Sequence, residues 1–166
     1  MIQTLMALLA MMLAILLTFN QQQSILNVER AMVRQELSAQ ATSVAVDRLE
    51  EIGAMPFDRY TVGETRVTSA SGLTAAADFR VAVPPGDLDD FHTADVVQSR
   101  LMWSDTLRFK VLSYVSYADE ANPAVEVSGV RTKFKKVRVV VYSLDQENPD
   151  TVRLAQSFAC GSLCDW

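Results

Sequence analysis

MIQTLMALLAMMLAILLTF, residues 1–19, is the stretch on which the reading of this chain turns. Only Gln3, Thr4 and Thr18 are polar in it. Ile2, Leu5, Met6, Leu8, Leu9, Met11, Met12, Leu13, Ile15, Leu16, Leu17 and Phe19 cover every side of a helix, so no face is left for water. At about 1.5–3 kcal/mol per large side chain, exposing them costs on the order of 20–30 kcal/mol. The segment therefore belongs in lipid, in a protein bundle, or in each at different times. A secretory signal peptide would carry a basic start and a small-x-small cleavage site, and neither is present near residues 20–24. A plain membrane anchor has the required apolar length but no basic flank on its N-terminal side. The remaining reading is a helix that waits in a membrane and is then buried among identical helices.

The stretch that follows favours this last reading. No Pro or Gly occurs before Gly53. Leu26, Val33, Leu37, Ala41 and Val44 recur at helical spacing and drift to Leu49 and Ile52, with small and charged residues between them. This predicts an amphipathic helix over 20–54 continuing the apolar one, with Leu26, Val33, Leu37, Val44 and Ile52 packed on a head. Gly53 stands as the residue past the helix end, with Pro56 shortly beyond. Residues 20–24, Asn-Gln-Gln-Gln-Ser, are the weakest helical stretch.

Beyond residue 55 the period changes to two. Leu107 to Tyr117, Val137 to Val141 and Val152 to Phe158 each alternate apolar with polar residues and read as half-buried strands. Asn122-Pro123 and Asn148-Pro149-Asp150 mark the turns between them, and short links favour antiparallel neighbours. Phe79, Val81 and Val83 suggest a further strand, and 61–68 a weaker one. Residues 86–105 read as a surface loop with a short helical turn. The expected fold is α+β: a helix over 1–54 whose C-terminal half packs on an antiparallel sheet head formed by 55–166.

Charge is distributed as unevenly as hydropathy. All 15 Lys and Arg and all 20 Asp and Glu lie from Glu29 onward, and the formal net charge is −5. An acidic chain lacks the positive footprint that phosphates need, so no nucleic-acid partner is expected. Lys133, Lys135, Lys136 and Arg138 form a local basic cluster, read as charges guarding an edge strand. Asp87, Asp89, Asp90 and Asp95 surround His92. They read as a solvated acidic loop, with calcium at 87–95 as the alternative. No cofactor is expected otherwise. There is no GxSxG, HExxH or phosphate-cradling Gly-rich loop, and a single His supports no triad, so the chain is not read as an enzyme. Trp103 and Trp166 read as core or as contacts between heads.

The apolar N-terminal helix resembles that of type IV pilins and the pseudopilins of type II secretion. So do its Ala/Ser-rich continuation, the run Leu49-Glu50-Glu51-Ile52-Gly53-Ala54-Met55-Pro56-Phe57-Asp58, and the closing strands with Lys135-Lys136-Val137-Arg138-Val139-Val140-Val141. The resemblance implies a structural subunit, anchored in the inner membrane before assembly and carried by a pilus or secretion machinery into an extracellular helical filament of identical subunits. Ile2, Leu5, Met6, Leu8, Leu9, Met12, Leu13, Leu16 and Leu17 would line its core. A minor subunit at the tip of a secretion fibre is one alternative; a membrane-anchored periplasmic binding module that never polymerises is another. The family's fifth-position Glu is Leu5 here, and its short basic leader is absent, which fits Met1 as a processed mature N-terminus. In an exported protein Cys160 and Cys164 are expected to pair, which the loop-entropy estimate values at about 2 kcal/mol. One His supplies too few further ligands for zinc.

Overall fold

The computed structural model describes residues 2–102, 105–146 and 149–166, with the side chains of Leu5, Glu64 and Met102 excepted. Met1, Trp103 and Asn148, each given a role above, lie outside the described residues. The chain divides into two compact units, Met1–Ala39 and Gln40–Trp166. One helix, α1 (Ile2–Gly53), supplies the first unit and the opening turns of the second. It is helical through residues 20–24 and ends at Gly53.

The second unit is a helix packed on an antiparallel sheet. Its strands are β1 (Ala94–Met102), β2 (Asp105–Ala118), β3 (Glu126–Val127), β4 (Phe134–Ser143) and β5 (Thr151–Ala159). They run in the order β1-β2-β4-β5, and the short β3 pairs with the end of β2. Period two decides which side chains go inward. Phe109, Val111, Ser113, Val115 and Tyr117 of β2 are buried, as are Lys135, Val137, Val139, Val141 and Ser143 of β4. The register sets Val111 opposite Val141, Val115 opposite Val137 and Tyr117 opposite Lys135.

Ala41, Val44, Ala45, Arg48, Leu49 and Ile52 form the buried stripe of α1, at the three- and four-residue steps of one helix face. Ala41 and Ala45 keep that face narrow. Gly53 closes it where a Cβ would come within 2.7 Å of the Phe158 ring. Arg48 is the polar member of the stripe. Its guanidinium pairs with Glu51 at 2.7 Å, lies 3.4 Å from Ser113 Oγ and stacks 4.8 Å over the Phe91 ring.

Four expectations change. Leu26 and Val33 do not join the buried stripe; both are more than half exposed. Leu37 is half-buried, and continuous burial starts at Ala41. Leu26 and Val33 keep the helical period, but they belong to the first unit, and the helix's core residues begin at Ala41. Residues 94–102 form a strand, not a loop. As a sheet edge, β1 needs no buried alternation, and its Val97 and Leu101 face solvent. Phe79, Val81 and Val83 form no strand. Only Phe79 is buried, and Pro84 and Pro85 cannot donate to a ladder. Residues 61–68 contain most of a 3₁₀ segment, Arg59–Glu64, and one isolated bridge from Val67 to Cys164.

Candidate functional site

Two features stand out: the apolar surface of the leading helix and a buried charge cluster in the head. Ile2, Met6, Leu8, Leu9, Met12, Leu13, Leu16 and Leu17 are 53–81% exposed in the single chain. Leu5, grouped with them in sequence, has its side chain outside the described residues. Met11, Ile15, Phe19 and Ile25 are equally bare. Among the described residues, α1 is the one helix long and apolar enough to cross a membrane.

The head's interior centres on Lys135, which has no exposed surface. Its Nζ lies 2.9 Å from Asp58 Oδ2, 2.7 Å from Asp89 Oδ1 and 2.8 Å from Asp89 Oδ2, and donates to the carbonyl of Phe57 at 2.7 Å. The rings of Phe57, Phe79 and Tyr117 surround it at 4.5, 5.3 and 5.4 Å. Tyr117 also donates its hydroxyl to the Thr74 carbonyl at 2.6 Å. Local structure delivers each carboxylate. Asp58 caps the segment Arg59–Glu64, exchanging hydrogen bonds with Tyr60 and Thr61. Asp89 sits in the 3₁₀ turn Leu88–Phe91, which Asp87 caps by accepting from the amides of Asp89 and Asp90.

The two carboxyl groups are unequal. Asp58 also accepts from the Thr74 amide at 2.9 Å and the Thr74 hydroxyl at 3.0 Å. Burial works to raise its pKa, but the Lys135 charge and these donors outweigh burial and hold it below the ordinary carboxylate value. Among the described residues, the Asp89 carboxyl has no donor besides Lys135. Its Oδ1 is close to Nζ yet has no aligned hydrogen bond. Burial, reinforced by the neighbouring Asp58 and Asp87 charges and opposed by Lys135, pushes Asp89 up to about 7. One cation thus serves two carboxyls, and Asp58 holds its negative charge more readily than Asp89.

This cluster corrects two sequence expectations. The basic group is not a patch on an edge strand, because β4 lies between β2 and β5. Lys135 points inward. Lys136 turns to the Ala124 carbonyl at 2.7 Å and to Glu126, and Arg138 is exposed beside Tyr114. Lys133 meets the carbonyl and ring of Trp166, which is partly exposed. Nor is 87–95 a solvated acidic loop, for Asp87 and Asp89 are buried. Asp90 accepts from the Gly86 amide at 2.8 Å, and Asp95 pairs with Lys110 at 2.9 Å. The four carboxylates are thus drawn to separate protein partners, and among the described residues no group of acidic, His or Cys side chains has the arrangement of a metal site. His92 Nδ1 lies 2.7 Å from the Val115 carbonyl oxygen, tying the turn to β2. One signal for Lys135 was present in the sequence: it occupies the inward register of Val137, Val139 and Val141.

Cys160 and Cys164 form a disulfide, with Cα atoms 5.7 Å apart. It brackets the turn Gly161–Leu163, which Val67 grips through the Leu163 carbonyl at 2.8 Å and the Asp165 amide at 2.9 Å. No protein family, curated protein or solved structure matches the chain.

Proposed function

We propose that the chain is the structural subunit of a pilin-like extracellular filament, held in the inner membrane by residues 2–19 until assembly. The observation that carries this reading is the all-round exposure of large apolar side chains on a helix joined to a head with its own core. Lipid covers such a helix before assembly. After extraction, other copies of the same helix provide the dry environment, and head-to-tail contacts that do not close propagate into a helical fibre. The head supplies the solvent-facing surface. Its disulfide suits an oxidising exterior.

Negative-stain microscopy of material sheared from cells tests the proposal. It predicts long fibres composed mainly of this chain. Leu13→Arg should deplete the fibres about 100-fold, because a charge at that depth costs about 2.5–3.5 kcal/mol per subunit. Recovery of the chain only from membranes, at one or two copies per complex, would contradict it.

A further inference from the structure

We propose that the head forms an internal amide cross-link between Lys135 Nζ and the side-chain carboxyl of Asp89, with Asp58 as the proton acceptor. The inference is independent of filament assembly. It rests on a nucleophile, an acyl group and a base held in mutual contact in a site that water does not reach. Lys135 Nζ is within 2.8 Å of both Asp89 oxygens, so the carboxyl carbon is its immediate neighbour. Asp58 Oδ2 is 2.9 Å from the same nitrogen. All three side chains have essentially no exposed surface, and three aromatic rings wall the nitrogen off.

The division of labour follows from the hydrogen bonds. Amide formation needs a neutral amine and an uncharged carboxyl. Asp58, ionised and fixed by Thr74 and Tyr60, takes one proton from the Lys135 ammonium. The freed amine attacks Cγ of Asp89 in its protonated form, the form that burial favours. A C–N bond forms and the C–OH bond breaks. The leaving hydroxyl takes a proton from the attacking nitrogen, relayed through Asp58, and departs as water. The products are one secondary amide, one water and protonated Asp58, with charge conserved and no oxidant or reductant required. In open water this condensation is unfavourable. Here the effective molarity of aligned groups, on the order of 10⁵–10⁸ M, and the dry surroundings shift it toward the amide.

The geometry also explains why Asp89 is the acyl partner. Asp58 has its oxygens committed to Lys135 and to three other donors, whereas Asp89 Oδ1 has no aligned donor. Attack on Asp89 breaks the fewest hydrogen bonds.

Mass spectrometry of the full chain, purified in detergent, unfolded and reduced, provides the test. The expected intact mass is lower than the sequence mass by one water. Trypsin should fail to cut after Lys135 and release a branched peptide joining residues 81–100 to 134–136. Asp89→Ala and Asp58→Asn should each run at full mass. The wild-type peptide map decides the matter even if those variants fold poorly. Cleavage after Lys135 with an unlinked 81–100 peptide overturns the proposal. A branch from Lys135 to the peptide 49–59, which contains Asp58, overturns the assignment of acyl group and base.

Discussion

The leading turns of α1 and its last turns are one helix with opposite solutions to the same problem. Residues 41–52 bury a narrow stripe and leave the rest of the helix to water. Residues 2–19 are apolar on every face, and those with described side chains bury almost nothing within the chain. The difference shows that hydrophobicity alone does not say where a helix is covered. Period does: a stripe is matched by one neighbour, and an all-round apolar surface needs a surrounding medium.

The largest effect should come from the head's interior. Lys135→Met removes the group that holds both buried carboxyls, by its charge or through the proposed amide, and it should destabilise the detergent-solubilised chain by at least about 3–5 kcal/mol in denaturant unfolding. The leading helix should keep its circular-dichroism signal. Equal loss in both regions would break the distinction between them.

A matched pair of substitutions sharpens the comparison. Ile52 has no exposed surface and Ile25 is 58% exposed, on the same helix. Ile52→Ala should cost about 2–5 kcal/mol of head stability. Ile25→Ala should change it by less than about 0.5 kcal/mol. Similar values for the two would mean that the leading turns are covered within the chain.

The smallest effect should come from the head's surface. Asp145 accepts from the Arg108 guanidinium at 2.7 Å and from the Arg108 amide, and these bonds hold its carboxyl below the usual value. A lowered folded pKa gives stability that is present above the ordinary carboxylate pKa and lost as pH falls through the folded value. Asp145→Asn should therefore slightly flatten the acid limb of a thermal-unfolding series and leave the neutral region almost unchanged. The pair is exposed, so solvent screening keeps the change small.

What could be read from the sequence follows the same division. The strands β2 and β4 announce themselves because each buries one face, and β5 because Val152, Leu154 and Phe158 are half-buried against the core. The end of α1 is legible from Gly53, whose missing side chain admits Phe158. The edge strand β1 was not, since its half-buried positions Gln98 and Arg100 are polar while Val97 and Leu101 face solvent, and its pairing depends on β2. Phe79 to Val83 carries the converse lesson: alternation without a partner strand is not a strand. The Lys135 cluster was hidden for a different reason. Its members come from residues 58, 89 and 135, and only the fold brings a helix-entry cap, a turn and a central strand to one point.

The most direct test of the account is to place a photo-crosslinking residue at position 9 and irradiate the material sheared from the cell surface. The account predicts adducts between identical chains, forming a ladder of covalent multimers in that fraction. Adducts only to lipid or to unrelated proteins, with no self-adduct in the sheared fraction, would contradict it.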